Sequence, residues 1–298
     1  MPMSEQPDAG WWEFGGSGDS LRLDGDDSEA VRFDPAQHSN NFTVMCEFSA
    51  DDIVSVSAII SKWNSLIGKR CWLIYKNGDD VYIVVSKSGA SGGDLTGLAL
   101  LGCVTAGEKI RIVLRYKYVA DGSSIMRIDS NRDSDITGLN YAEMNTSVGP
   151  VYSSTSADVQ IADSDQGVDY WFEGKIYWIS YHNRYLDDWE VDAIVDGTMR
   201  PQSFLEEDDW YEDFHDSVAS TNDSEFPLDG SVGFTVEGTP THGGTSVSTV
   251  WNERGTVHSI PEEVFENNII LAEFRSSSSP RASSLMKGLV TSLRVRRR

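Results

Sequence analysis

No run of apolar residues in this 298-residue chain approaches the ~20 that cross a bilayer, so no membrane-spanning helix is expected. Met1 to Glu5 hold neither a basic cluster nor an apolar core, so no secretory signal is visible there. Only three cysteines occur, Cys46, Cys71 and Cys103, each in an apolar, strand-like context. An odd number at unrelated spacings points to buried free thiols rather than a disulfide framework, which fits synthesis in a reducing cytoplasm. The five histidines are scattered, with no His-x-x-x-His and no pairing with cysteine, which removes the common zinc patterns. Nucleophile-elbow, phosphate-loop and dinucleotide-binding motifs do not occur in a usable strand–turn–helix context.

Basic residues are scarce as well. Lys and Arg total 24 against 47 Asp and Glu, a formal net charge of −23. The imbalance is uneven along the chain. Residues 281–298 carry Arg281, Lys287, Arg294, Arg296, Arg297 and Arg298 and no acid, so the other 280 residues carry −29, six below the total. An acidic body repels phosphates, which argues against nucleic-acid binding by the main domain. The basic end suits docking on an acidic surface, including a neighbouring copy of the chain.

What the sequence does hold is β structure. With 9 Trp, 11 Tyr and 11 Phe it has the bulk for a packed core. Residues 72–75 and 81–85 flank Asn77-Gly78, a strong hairpin signal. Residues 109–118 alternate, turn at Asp121-Gly122 and return through 125–128 as a second hairpin. From Phe172 to Ser180 a strict period of two puts Phe172, Gly174, Ile176, Trp178 and Ser180 on one face. Asp187, with Glu190 three residues on, reads as a helix N-cap and capping box. Many short strands, regular turns and little helix indicate a sandwich.

Two segments carry a family resemblance. Phe172-x-Gly174-x-Ile176 runs on to Asn183-Arg184, Leu186 and a short acidic helix. Ser20 to Asp27, followed by Phe42 to Phe48, forms the opening. Together they resemble the closing and opening segments of laminin-G-like, concanavalin A-like jelly rolls. The resemblance covers roughly residues 18–198 and implies an all-β sandwich of two antiparallel sheets. With the charge and composition of the rest of the chain, the expected division is an arm at 1–19, a jelly roll at 20–199, an acidic, aromatic-anchored, mostly β or irregular extension at 200–280, and a basic tail at 281–298. A strand at 268–274 is expected within the extension.

Candidate site residues follow from these patterns. Glu207, Asp209 and Glu212 match the Glu-x-Asp-x-x-Glu spacing of laminarinase-like hydrolases. They fall outside the family-like region and inside a run of ten acids, so catalysis is not expected of them. The resemblance also implies a possible structural Ca²⁺ at the sandwich rim. Asp129, Asn131, Asp133 and Asp135 alternate oxygen ligands and are the named candidates; Asp24, Asp26 and Asp27, or Asp163, Asp165 and Asp169, are alternatives. A sugar site needs an aromatic platform with planar polar partners. Trp63 with Asn64, and Trp171, are the candidates, with Trp72 and Tyr152 beside them. Two readings result. In the first, the resemblance to jelly rolls of virion proteins implies a non-enzymatic structural or decoration protein of a phage particle. Trp11, Trp12, Arg294, Arg296, Arg297 and Arg298 would dock it on capsid proteins or copies of itself, and it would be made in the host cytoplasm. In the second, the chain is a glycan-binding module for adhesion or receptor recognition.

Overall fold

The first hairpin forms around Asn77–Asp80, where Gly78 takes φ +66°. The computed structural model describes residues 11–243 other than 17, 24–27, 66, 91–93, 147–148, 155, 165–169, 207–208 and 213–234. In chain order the strands are β1 (Trp11–Gly15), β2 (Ser20–Leu23), β3 (Phe42–Ala50), β4 (Val56–Asn64), β5 (Lys69–Asn77) and β6 (Asp80–Ser86). There follow β7 (Leu95–Leu100), β8 (Ile110–Lys117), β9 (Ser124–Ser130), β10 (Tyr141–Thr146), β11 (Val159–Ile161) and β12 (Glu173–His182). Helix α1 (Asp188–Val195) comes next, then β13 (Trp210–Glu212), β14 (Thr235–Glu237) and β15 (Thr241–Gly243).

The strands form two antiparallel sheets. One has eight strands in the order β10-β9-β8-β3-β12-β1-β15, with β13 also on β12. The other has seven in the order β14-β2-β11-β4-β5-β6-β7. Between them lies a core built from both inner faces, including Phe14, Leu21, Phe42, Ile60, Trp72, Ile112, Tyr116, Ile176 and Trp210. Within it the Phe42 and Trp72 rings each stack on Tyr181, at 5.9 and 5.6 Å. A second apolar cluster sits outside the eight-stranded sheet. There Met45 and Val113 meet Leu186, Val191, Ile194, Val195 and Phe204, so α1 covers part of that outer face. The helix starts as expected: the Glu190 carboxylate accepts from the Asp187 N–H at 2.8 Å, closing a capping box.

Three expectations are corrected here. Residues 11–15 are not part of an arm but a strand beside β12, and Trp12 is a core residue, 5% exposed. The jelly roll also does not stop at 199. β13 pairs with residues 179–181 while β1 pairs with 173–176 on the same edge of β12, and β14 and β15 extend both sheets. These segments cover an edge of the longest strand that would otherwise expose unpaired backbone groups. Finally, the register of β12 shifts between Ile176 and Trp178. Ile176, Ile179 and Tyr181 therefore face the core, while Trp178 packs outward with the α1 cluster. Residues 268–274 and 281–298 lie outside the described residues.

Candidate functional site

The outward face of the seven-stranded sheet is set by two irregularities in one strand pair. The β4–β5 register shifts between Ala58 and Ile60 and again between Lys62 and Trp63. Each shift turns two consecutive apolar residues inward, Ile59 with Ile60 and Cys71 with Trp72. It also restores Ala58, Leu73 and Trp63 to a shared outward cluster with Tyr75, Val84, Leu95 and Tyr170.

The pairing arranges this face in rows. Ala58, Tyr75, Tyr82 and Ala99 form one row across β4 to β7. Gln160, Ser61, Leu73, Val84 and Gly97 form the next, beginning on β11. Trp63 pairs with Arg70 beyond it. Successive rows lie about 7 Å apart along the strands. Tyr75 and Tyr82 stack at 4.8 Å and 10° and stand over a floor that narrows to Ser61 and Gly97. Tyr75, Tyr82, Val84, Leu95 and Tyr170 are all half-buried, so an apolar surface remains in contact with solvent. The Tyr82 hydroxyl donates to Asp80 at 3.1 Å, which fixes the ring. Burial, reinforced by the Asp80 carboxylate, raises the Tyr82 phenol above its ordinary pKa, and burial raises Tyr75 too, so both stay neutral hydroxyls.

Polar groups border the platform. The Arg70 guanidinium sits 5.9 Å from the Trp63 ring and donates to the Ser65 and Gly89 carbonyls at 2.9 and 3.2 Å. Gln160 is a diagonal neighbour of Trp63 on the same face. The buried Trp63 Nε1 and Gln160 Oε1 have no hydrogen-bonding partner in the protein, one an open donor and the other an open acceptor.

The sugar candidates are divided by this geometry. Trp63 is on the platform, though only 3% exposed. Asn64 ends β4 and accepts from the Ile67 N–H at 3.2 Å. Trp171 is half-buried beside Tyr170, and it is Tyr170 that packs on the platform; its carbonyl accepts from Ala58. Trp72 is core, its indole N–H donating to the Phe33 carbonyl at 2.9 Å. Tyr152 packs against the core from the side. Sequence reasoning missed Tyr75, Tyr82, Tyr170 and Gln160. The first two were findable: a hairpin that pairs Asn77 with Asp80 necessarily pairs Tyr75 with Tyr82.

The carboxylate candidates are committed elsewhere. Asp129 Oδ2 accepts from the fully buried Arg115 at 2.9 Å and Oδ1 from Arg127 Nε at 2.8 Å. Asn131 accepts from the Arg111 N–H at 2.9 Å, and Asp133 and Asp135 are exposed. Among the described residues no group of three or more His, Cys, Asp or Glu is placed to hold a metal ion. Of the alternatives, Asp163 is described and accepts from the Ser164 N–H at 2.6 Å. Asp24, Asp26, Asp27, Asp165, Asp169 and Glu207 lie outside the described residues, as do Arg294, Arg296, Arg297 and Arg298. Asp209 is structural: it holds the His182 Nδ1 at 3.0 Å and accepts from the backbone of Asn183 and Glu206. Ser180 lies two residues before His182, but its hydroxyl and the His182 Nε2 are both buried and unbonded, so they form no activated nucleophile.

No family model matches the chain, and no curated protein sequence matches it. Among solved structures, a putative carbohydrate binding protein from Bacteroides ovatus superimposes with a TM-score of 0.53 at 10% identity. The match covers 80% of this chain and 61% of that protein, less than two thirds of its length. The CBM40 domain of Ruminococcus gnavus IT-sialidase bound to α2,3-sialyllactose matches at 0.46, with 13% identity over 62% of this chain and 97% of the domain. A SAP-like pentraxin from Limulus polyphemus also scores 0.46, with 11% identity over 81% of this chain and 98% of its own. Identities this low speak to fold alone, and the fold is an all-β jelly roll of two antiparallel sheets.

Proposed function

We propose that this chain is a carbohydrate-binding module that takes a glycan on the outward face of its seven-stranded sheet. The observation that carries the reading is the half-exposed aromatic platform of Tyr75, Tyr82 and Tyr170, bordered by the buried Trp63 and Gln160. A sugar ring presents a flat array of C–H bonds on one face and hydroxyls around its edge. The first suits a rigid aromatic surface, and the second suits planar polar groups beside it. α1 packs on the opposite sheet and leaves this face to the strands. The Bacteroides ovatus neighbour, described as a putative carbohydrate binding protein, agrees with the reading.

The arrangement favours binding over catalysis. Asp80 accepts from Tyr82 and from the Gly102 N–H, while Asp158 and Glu237 both pair with Arg22, so these acids are tied down rather than poised for acid–base work. The virion reading rested on the resemblance to jelly rolls of virion proteins and named docking groups at the two ends. One of its named anchors, Trp12, is buried in the core, and the tail arginines lie outside the described residues. The platform favours the glycan reading over it.

The test is a glycan array probed with the full chain and with Tyr82→Ala. The wild type is expected to bind a defined subset. The variant is expected to bind at least about tenfold more weakly, about 1.4 kcal/mol, with an unchanged circular dichroism spectrum. Failure of the wild type to bind any glycan, or full binding by the variant, overturns the proposal.

A further inference from the structure

We infer that the glycan of this face is an acidic oligosaccharide whose carboxylate is taken by Arg70 at one end of the platform; the inference rests on the glycan reading above. It starts from how the arginines are partnered. Arg22, Arg111, Arg115, Arg127, Arg132 and Arg184 each meet a carboxylate at 2.7 or 2.8 Å. With 47 Asp and Glu against 24 Lys and Arg, such partners are plentiful. Arg70 stands apart, because it meets no carboxylate among the described residues. Its Nη1 and Nη2 donate to the Gly89 and Ser65 carbonyls at 3.2 and 2.9 Å. Those two neutral oxygens hold the guanidinium in place and leave its charge unbalanced.

A guanidinium has five N–H groups, so these two bonds leave others to spend. The Arg70 Nε makes no bond, yet it is not sealed inside the protein as the Arg115 Nε is. Arg70 itself is half-buried and sits beside Trp63 at the end of the platform face. A planar fork fixed at two points and otherwise open suits a carboxylate, which accepts parallel N–H bonds. Nearby cations reinforce it. Lys69, which faces the other way, is bonded to the Ser156 hydroxyl, and the exposed Lys87 lies against Gly149. Neither pairs with a carboxylate among the described residues; both add positive potential at this rim and are not offered as contacts. The acids of this sheet lie apart from the fork: Asp94 accepts from the Ser88 hydroxyl at 2.6 Å, and Asp80 from Tyr82 at the far end.

The ligand is thereby oriented. The Tyr75–Tyr82 row lies two rows from Trp63 and Arg70, about 14 Å along the strands, so one sugar does not reach both. Uncharged rings would lie over the tyrosines toward Asp80, and the acidic sugar at Arg70. The chain's net charge of −23 opposes the distant approach of any anion, so the preference is a short-range one made by the contact itself.

The experiment measures binding of the full chain, and of Arg70→Gln and Arg70→Lys, to oligosaccharides carrying hexuronate or sialate groups. Each is paired with its carboxyl-reduced form of the same length and linkage, and a panel of neutral oligosaccharides is measured alongside. Wild type is expected to bind the acidic member of a pair about tenfold more tightly. Arg70→Gln should bring that ratio within about twofold while the reduced form binds as before; Arg70→Lys, which keeps the charge without the fork, should fall between. The wild-type ratio can be read whether or not the variants fold. An arginine that only braced the Ser65 and Gly89 carbonyls would weaken both members alike and leave the ratio standing. That result overturns the inference with the glycan reading intact, and so does a wild type that binds both forms equally or prefers reduced or neutral ligands. Binding to no oligosaccharide of any kind overturns the glycan reading itself and the inference with it.

Discussion

Replacing Arg115 with methionine tests how the eight-stranded sheet holds α1, and whether Asp129 is a structural partner or a metal ligand. The Arg115 side chain is wholly buried. Its guanidinium donates to the Leu186 carbonyl at 2.8 Å, to Asp188 at 2.7 Å and to Asp129 at 2.9 Å, and lies 4.8 Å from the Tyr185 ring. Methionine keeps an apolar stem over Tyr185 and removes all three bonds. Breaking a buried ion pair by deleting one partner costs about 3–5 kcal/mol, because the other charge stays behind. Here Arg127 still holds Asp129 at 2.8 Å, so the expected loss is at the lower end, about 3 kcal/mol. For a domain of this size that lowers the melting temperature by about 6–12 °C.

The assay is thermal and denaturant unfolding of Arg115→Met, Asp129→Leu and the double variant. If the two side chains are direct partners, the double variant is more stable than the sum of the single losses by about 0.5–3 kcal/mol. The Asp188 carboxyl gives a second readout. The hydrogen bond from Arg115 holds it below the usual carboxylate range, so its pKa rises in the variant. A loss under about 1 kcal/mol, or a strictly additive cycle, refutes the clamp. So does a wild-type melting temperature that rises with calcium, falls with chelator, and loses that response in Asp129→Asn; the alternation at Asp129, Asn131, Asp133 and Asp135 would then be a metal site after all.

Three further outcomes are expected. Gly174 takes φ +140°, and a Cβ there would sit 2.2 Å from the Ser49 carbonyl, so Gly174→Ala costs about 3 kcal/mol or more; a melting temperature within about 2 °C of wild type contradicts this. Burial pushes the Cys71 and Cys103 thiols up to about 12 and raises Cys46 as well, so a thiol reagent at pH 8 should label all three only after denaturant is added; rapid labelling of the native chain refutes their burial. Burial alone would raise the Asp52 carboxyl, but hydrogen bonds from Ser55, Val54 and Lys76 outweigh it and hold it well below the usual range. A depressed folded pKa contributes stability that is present above the unfolded value near about 4 and lost as pH falls toward the folded one. The stability gap between wild type and Asp52→Asn should therefore close on acidification below about pH 4, and a gap unchanged from pH 7 to pH 2 would count against it.

Much of the fold was legible because local rules and tertiary demands agree. Asn77-Gly78 fixes a turn that only one pairing of β5 and β6 satisfies, and the Asp187–Glu190 pair marks the helix start within a residue. The failures have one cause in common. A strict period of two assumes an unbroken ladder, and the shifts at Ile176/Trp178, Ala58/Ile60 and Lys62/Trp63 each break it. No local composition announces them: Ile59-Ile60 and Cys71-Trp72 look like ordinary apolar pairs, and only the need to bury both members shows why the strand must bulge. The edge strands were missed for a related reason. Trp11 to Gly15 sits in a glycine-rich lead-in, and Trp210 to Glu212 in an acidic run, so each takes its strand form from the free edge of β12 rather than from its own pattern.

The same bulges account for the site. With an unbroken register in β4, Trp63 would point into the core and Lys62 outward; the shift at Ala58/Ile60 reverses both. Lys62 is thereby buried against two carbonyls, where desolvation lowers its pKa, and Trp63 joins the tyrosines outside. One extra residue in the strand exchanges a cation for an aromatic ring on the platform. A face that would have carried a lysine carries an indole packed beside the tyrosines instead, so the composition of the platform has its origin in the backbone of β4.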